Sequence, residues 1–341
     1  MKKLPIILII ALILTSLSGC GRNFAIEPAK STSEPTEPII LKLAFNQNEE
    51  HPQYIAMKAF GESLYEKTNG KYALVIFPNE QLGSQEESIE MVQSGTIAMA
   101  LVVGSLLESL NPDYSIFDLP YIFKSAEHQR DIVNDPEIVG ELYESTADKG
   151  IITLAAFHAG IRNVYTDVGP IRRPRDLNNL KLRVIPSDTN LRGMRLMGGT
   201  GVGMSQGEVY SAIQEGLIDG AENNELIYSS LNHVEVAPYY SYTKHLMLPD
   251  YLIINSDLWN ELPEDVKQIF REELEIAVDY EYDIFADAVE AAKQAAVEAG
   301  AEFNEVDIET FQRQITPLTE IKITTDVTKD IYNRIRAWRG N

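Results

Sequence analysis

Short apolar runs alternate along the chain with longer segments in which apolar residues recur at every third or fourth position. Runs of the first kind predict β-strands, and segments of the second kind predict amphipathic helices. The predicted strands are residues 39–45, 72–77, 97–103, 151–157 and 180–185. Helices are predicted over residues 54–67 and 86–93. This alternation is typical of an α/β protein whose open sheets carry helices on both faces.

A helical pattern of unusual length runs from Pro263 to Gly300, which is long for a single helix of a globular protein. The ligands of open α/β sheets bind beyond the carboxyl ends of the strands. Polar side chains at those ends are therefore the first candidates for a binding site.

Arg183 lies inside the apolar run 180–185, where a guanidinium group is costly unless its donors meet an anion. Lys181 points to the same face, because strand side chains alternate with a period of two. Two interpretations follow. The spacing alone favours a half-exposed strand with a basic solvent face, and the alternative is a planar fork for a ligand carboxylate.

The amino terminus predicts export and lipidation. Lys2 and Lys3 precede an apolar run over residues 4–14, which is too short to span a bilayer and is typical of a signal peptide. The run leads to Leu17-Ser18-Gly19-Cys20, a lipobox, and Cys20 is the only cysteine. We therefore expect a lipoprotein signal peptide over residues 1–20 with Cys20 lipidated. Residues 21–38 are rich in Pro, Ser, Thr and Glu and are expected to form a disordered tether.

Composition narrows the class further. The formal net charge of -22 argues against nucleic acid and anionic membrane surfaces as partners. The five histidines lack metal-ligand spacing, so no metal site is predicted. No cofactor and no catalytic residue is predicted either. The glycine-rich residues 198–203 match no nucleotide-binding motif and are expected to form a helix-to-strand loop. Asp219 and Glu222 are expected to occupy a solvated turn rather than to form a catalytic carboxylate pair.

Several motifs in order resemble one protein family. They are Gln81-Leu82-Gly83, the segment FDLPYIF at 117–123, Gly160-Ile161-Arg162, Asp176-Leu177 ahead of LKLRV at 180–184, EVYSAIQEG at 208–216 and DGAENN at 219–224. Together they resemble the solute-binding proteins of tripartite ATP-independent periplasmic (TRAP) transporters, the DctP-like family, over about residues 39–335. Asn178-Asn179 stands where a glycine is usual, and Asn224 stands where a proline is usual.

The resemblance implies a two-lobed periplasmic-binding-protein-like fold with a ligand cleft between the lobes and a long helix that crosses both. Residues 39–160 and 249–288 would form the first lobe, and residues 161–248 and 289–341 the second. The implied function is extracytoplasmic capture of an organic acid for the small and large membrane permease subunits. The protein is expected to be a monomer, lipid-anchored on the outer face of the cytoplasmic membrane.

The resemblance also implies a set of ligand-binding residues: Arg183, Arg162, Asn223, Asn46, Gln206 and Tyr210. From the residues alone, Arg162 could be a surface arginine, Asn223 a helix N-cap and Tyr210 a core residue. Arg183 would bind the carboxylate of the ligand in a bidentate contact.

The amide side chains of this set, with that of Asn224, suit a ring of hydroxyls, because each can donate and accept. A hexuronate is therefore the first choice of ligand and a C4-dicarboxylate the second. Two alternatives stay open: a secreted lipoprotein enzyme acting on acidic sugars, and a ligand-sensing subunit of the same fold.

Overall fold

The computed structural model describes residues 37–340. The predicted signal peptide, the lipobox cysteine Cys20 and the tether up to residue 36 lie outside the described residues. Within the described range, no helix combines the length and the apolar character needed to cross a membrane.

Eleven strands of the described chain form two mixed sheets. The first sheet has the order β2-β1-β3-β10-β4, with β10 antiparallel to both of its neighbours. Its strands are β1 Ile39–Ala44, β2 Tyr72–Phe77, β3 Met99–Val103, β4 Ile151–His158 and β10 Pro249–Asn255. The second sheet has the order β11-β9-β5-β8-β6-β7. Its strands are β5 Arg162–Thr166, β6 Lys181–Val184, β7 Thr200–Gly203, β8 Gly220–Asn223, β9 Tyr239–Leu246 and β11 Glu302–Glu305.

Twelve α-helices cover these sheets within the described range. They are α1 Pro52–Lys67, α2 Gln85–Gln93, α3 Ala126–Val133, α4 Pro136–Glu144, α5 Asp188–Met197, α6 Val209–Gln214, α7 Glu225–Ser230, α8 Ser256–Glu261, α9 Glu264–Glu298, α10 Ile308–Ile315, α11 Pro317–Lys322 and α12 Asp326–Ala337. Short 3-10 helices fill several connections, at Gly104–Ser109, Pro112–Asp118, Ala147–Lys149, Pro174–Leu177, Gln206–Glu208 and His233–Glu235.

Local sequence explains where the first helices begin. Helix α1 has Pro52 at its first position, where the missing N–H costs nothing, and the side chain of His51 accepts from the backbone N–H of Gln53. Helix α2 begins with a capping box between Ser84 and Glu87. Both helices therefore begin directly beside the loops that follow β1 and β2.

The predicted long helix is confirmed as α9, which has 35 residues and is about 52 Å long. It packs against α1 beside the first sheet and against α7 beside the second. The contact with α1 includes Phe60 and Phe270, whose ring centroids are 5.3 Å apart. The α/β class and the two-lobed architecture are confirmed, with one sheet at the centre of each lobe.

The residue boundaries predicted between the two lobes stay a prediction. The last helix, α12, packs differently from what these boundaries imply. Helix α12 packs against α3 and α4, which lie beside the first sheet. The backbone carbonyl of Ile335 lies 3.1 Å from Nε2 of His128, and Nε1 of Trp338 donates to Asp131 at 3.0 Å. We therefore propose that α12 belongs to the first lobe. Helices α10 and α11, which precede it, pack against α5 of the second lobe.

The glycine-rich segment 198–203 differs in part from its prediction: residues 198–199 form the predicted connection from α5, but the rest does not form a loop. Residues Thr200–Gly203 form β7, an edge strand parallel to β6, and not a loop. Two neighbouring side chains explain the glycine at position 201. A Cβ at Gly201 would lie 3.3 Å from Val184 and from Met194, so only glycine lets β7 approach β6 and α5 this closely.

Candidate functional site

A small polar cleft lies where the two sheets face each other. The carboxyl ends of β1, β3, β6 and β8 open toward it, as expected for α/β sheets. Its polar lining consists of Asn46, Gln47, His51, Gln85, Arg162, Arg183, Gln206, Asn223, Asn224 and Asp250. Five of the six residues predicted to bind the ligand are therefore brought together here, and their roles stay a prediction.

Arg162 is held by an internal ion pair. Its Nε donates to a carboxylate oxygen of Glu222 at 2.5 Å, and its Nη2 donates to the other oxygen at 2.9 Å. Its Nη1 donates to the side-chain oxygen of Asn223 at 2.9 Å. Burial alone would lower the pKa of Arg162, but the Glu222 carboxylate raises it. The charge of Arg162 is thus neutralised within the protein, and its guanidinium orients the amide of Asn223.

Arg183 has a different environment. It is 4% exposed, and its Nε donates to the backbone carbonyl of Met204 at 3.0 Å. Among the described residues, no carboxylate lies within ion-pair distance of its guanidinium. Burial lowers the pKa of Arg183; the Glu222 carboxylate opposes this shift, and the positive charge of Arg162 adds to it. A buried cation with unused Nη donors at a cleft is arranged to receive an external anion.

The solvent-facing interpretation of the strand is wrong for Arg183, although it holds for Lys181. Lys181 begins β6 and is exposed, whereas the next three residues are buried. The two side chains point to the same face, but only the carboxyl end of the strand lies under the cleft.

Amide side chains form much of the remaining lining. Gln47 of the first lobe and Gln206 of the second exchange hydrogen bonds at 3.4 and 3.2 Å across the cleft. Asn46 lies beside them at the end of β1. Asn224, rather than Asn223, is the N-cap of α7, since its side chain accepts from the backbone N–H of Ile227. Asn223 is therefore free of the capping role that the sequence left open.

Gly160 permits this packing. Its φ of 73° lies in the left-handed region, and a Cβ there would lie 2.8 Å from Cβ of Asn224. The side chain of Asn224 donates to the neighbouring carbonyl of Ala159 at 2.6 Å. The glycine in the motif Gly160-Ile161-Arg162 thus lets the chain turn tightly just before Arg162.

Four polar residues of the cleft were missed from the sequence, namely Gln47, His51, Gln85 and Asp250. His51 precedes α1 and lines the cleft, and burial lowers its pKa to about 3. Its Nδ1 accepts from Gln53, so its Nε2 carries the proton and can donate. Asp250 also lines the cleft, and burial raises the pKa of its carboxyl to about 6. Neither His51 nor Asp250 stands in a motif, and no sequence signal marked them.

Tyr210 is not brought to the cleft. It lies on α6, and its hydroxyl donates to Glu235 at 2.8 Å. The inward-facing neighbour is Val209, which is 1% exposed. The predicted ligand role of Tyr210 is therefore replaced by a contact within the second lobe.

The expectation for Glu222 is also wrong. It is fully buried in β8 and not in a solvated turn. Antiparallel pairing of β5 with β8 sets Asn163 opposite Asn223, which brings Glu222 to Arg162. Asp219 alone lies in the predicted turn, where its carboxylate accepts from the backbone N–H of Lys181 at 2.6 Å.

Comparison with known proteins identifies the family. The model of bacterial extracellular solute-binding protein, family 7 (DctP), matches residues 43–325. A solute-binding protein of Chromohalobacter salexigens is 36% identical over 79% of this chain and 80% of its own length.

Solved structures agree in fold. A TRAP periplasmic solute-binding protein from Anaerococcus prevotii, with bound D-glucuronate, matches with a TM-score of 0.84 and 37% identity over 87% of this chain and 97% of its own. One from Xanthobacter autotrophicus, with bound β-D-galacturonate, matches with a TM-score of 0.84 and 30% identity over 88% of this chain and 100% of its own. The chain therefore belongs to family 7 of the bacterial extracellular solute-binding proteins, the subunits of TRAP transporters that bind small organic acids and work with membrane permeases.

Proposed function

We propose that this protein captures a hexuronate such as glucuronate or galacturonate outside the cytoplasm and delivers it to a TRAP permease. The observation that carries the proposal is the buried guanidinium of Arg183, which meets the cleft without a carboxylate partner among the described residues. A planar fork of this kind binds a carboxylate in a bidentate contact.

The lining of the cleft supports a polyhydroxylated ligand. Among the described residues, the Asn46 amide and Nδ2 of Asn223 make no hydrogen bond with the protein, and the Gln206 amide is bonded only to Gln47 across the cleft, so these groups can meet hydroxyls around a ring. A C4-dicarboxylate would need a second cationic site. Arg162 is a poor candidate for it, because Glu222 already occupies two of its donors.

The solved relatives support the same class of ligand. The proteins of Anaerococcus prevotii and Xanthobacter autotrophicus hold D-glucuronate and β-D-galacturonate, respectively. These relatives are 37% and 30% identical to this chain and share its fold. Together with the polar residues of the cleft, this likeness supports a hexuronate as the ligand of this protein.

Binding would be coupled to closure of the lobes. The reciprocal bonds between Gln47 and Gln206 join the two sides of the cleft, and a ligand held by residues of both lobes would stabilise the closed arrangement. Closure excludes water from the contact with Arg183, which strengthens the charge-assisted hydrogen bonds.

We further propose that the protein acts as a monomer anchored by lipid at Cys20 to the outer face of the cytoplasmic membrane. The lipobox Leu17-Ser18-Gly19-Cys20 and the polar segment 21–38 support this anchor. The tether would allow the binding protein to reach the small and large permease subunits while staying at the membrane.

A thermal-shift screen of the purified chain against organic acids tests the proposal. A ligand at a hundred times its Kd adds about 2.7 kcal/mol to the free energy of unfolding. D-glucuronate or D-galacturonate should raise the melting temperature, and succinate should raise it less. Absence of a shift with any hexuronate would contradict the proposed ligand class.

The same samples separate the two alternatives. An enzyme acting on acidic sugars would convert D-glucuronate on incubation, whereas the proposal predicts that the sugar is recovered unchanged. A sensing subunit would bind the same ligand but associate with a signalling partner. Co-purification of the lipid-anchored chain with the permease subunits supports transport, and co-purification with a kinase in their place supports sensing.

A further inference from the structure

We propose that Asp250 is the specificity-determining residue of the cleft, accepting hydrogen bonds from the hydroxyls of a sugar acid and repelling the second carboxylate of a dicarboxylate. This inference rests on the proposed function and adds to it the residue that would select between the two ligand classes.

The position of Asp250 follows from the sheet. It is the second residue of β10, and antiparallel pairing sets it opposite Val103 at the end of β3. Both residues line the cleft. The antiparallel insertion of β10 thus brings the start of one strand to the edge where the parallel strands end. An acidic residue therefore reaches a site whose other polar side chains are arginines, amides and one histidine.

One oxygen of the Asp250 carboxylate is held in place. Its Oδ2 accepts from Nε2 of Gln53 at 2.9 Å, and the same Nε2 donates to the backbone carbonyl of His158 at 2.9 Å. Gln53 is fully buried on α1, so this anchor is rigid. Gln53 is a positioning residue for Asp250.

The other oxygen is available to a ligand. Among the described residues, no group donates to Oδ1 of Asp250, and this atom is not sealed from the cleft. A carboxylate oxygen can only accept, so it is complementary to a hydroxyl and not to a second carboxylate. Hydrogen bonds to a charged acceptor are also stronger than those between neutral groups.

The cleft therefore presents one cationic and one anionic side chain to a ligand. Arg183 offers a cation that no carboxylate of the described chain neutralises, and Asp250 offers an anion. Arg162 lies near Asp250, but its charge is compensated by Glu222. In a ligand with one carboxylate and several hydroxyls, the carboxylate can bind Arg183 and a hydroxyl can donate to Asp250. A C4-dicarboxylate can bind Arg183 with one carboxylate, but its other carboxylate would lie against the like charge of Asp250, which costs free energy on binding.

The test is a calorimetric titration of wild type and Asp250→Asn with D-glucuronate and with succinate. The substitution keeps the size of the side chain and removes its charge. We expect glucuronate to bind at least about tenfold more weakly and succinate at least about tenfold more tightly, so that the preference changes about a hundredfold. Asp257→Asn is the matched control, since Asp257 is exposed on α8 and its loss changes the net charge equally.

A second measurement probes the hydroxyl contact itself. Against a series of monodeoxy glucuronates, wild type should lose at least about tenfold in affinity for the analogue that lacks the hydroxyl facing Asp250, and Asp250→Asn should lose little for the same analogue. Asp250→Ser, which is smaller and removes the same charge, replaces Asp250→Asn if that variant does not fold.

The outcomes are distinguishable. If wild type binds no hexuronate, the proposed function fails. If wild type binds glucuronate and the Asp250 variants bind glucuronate and succinate as wild type does, the proposed function stands and the role of Asp250 is wrong.

Discussion

Replacement of Arg183 by alanine is the most informative perturbation of the cleft. The side chain is 4% exposed, and only its Nε has a hydrogen-bond partner in the described protein, the carbonyl of Met204 at 3.0 Å. The change therefore removes the donors offered to a ligand and disturbs little of the protein's own bonding.

The expected loss in binding is large. Without the guanidinium, the ligand carboxylate would be buried without a charged partner, which costs about 2–5 kcal/mol. This range corresponds to a rise in Kd of about 30-fold to several thousandfold. Arg183→Lys should recover little of it, because an ammonium group cannot reproduce the bidentate geometry.

The effect on stability should be small. Burial and the neighbouring charge of Arg162 disfavour the charged form of Arg183, whereas the Glu222 carboxylate favours it, and all three influences disappear in the alanine variant. Loss of the bond to Met204 costs about 1 kcal/mol in the other direction. The ligand-free variant should therefore unfold within about 1 kcal/mol of wild type.

Isothermal calorimetry with D-glucuronate and urea unfolding of the ligand-free protein measure the two effects. Lys181→Ala is the control, because Lys181 lies on the same strand and face but is exposed. Wild-type affinity in Arg183→Ala would refute the carboxylate fork. A loss of affinity accompanied by unfolding would show instead that Arg183 has a structural role.

Three other perturbations have defined outcomes. Glu222→Gln should destabilise the fold by about 3–5 kcal/mol in urea unfolding, because it leaves Arg162 as an uncompensated buried charge; unchanged stability would show that the pair is dispensable. Burial raises the pKa of Asp250 to about 6, and protonation removes an acceptor, so glucuronate affinity should fall about tenfold in calorimetry between pH 7.5 and pH 5. Burial also raises the pKa of the neighbouring Glu281, and the Glu222 carboxylate raises the pKa of Arg162; a flat affinity profile would contradict the contact with Asp250. Cys20→Ala should release the protein from the membrane fraction without changing its affinity for glucuronate; loss of binding would show that the anchor contributes to the cleft.

The secondary structure was predictable wherever one pattern dominated. Strand β2 has the predicted bounds of residues 72–77, and the long helix differs from its predicted range by one or two residues at each end. The prediction failed at β7, because its four residues include two glycines and carry no apolar alternation. That strand forms only because β6 supplies a neighbour with which to pair.

Site residues were predictable from the sequence where they stand in a contiguous motif. They were not predictable where strand pairing in the folded protein determines which residues meet. Arg183 and Asn223 stand in such motifs. Glu222 lies 60 residues from Arg162, and only the register of β5 against β8 joins them. Asp250 reaches the cleft through the antiparallel insertion of β10, which has no local signature.

The ligand class is the central claim, and a side-by-side titration of the purified chain with D-glucuronate and succinate at pH 7.5 tests it most directly. The cleft has one buried guanidinium that no carboxylate of the described chain neutralises, with amides around it and an acidic residue among them. The account predicts that glucuronate binds at least about tenfold more tightly than succinate, a difference of about 1.4 kcal/mol. Tighter binding of succinate by the same factor, or binding of neither compound, would contradict it.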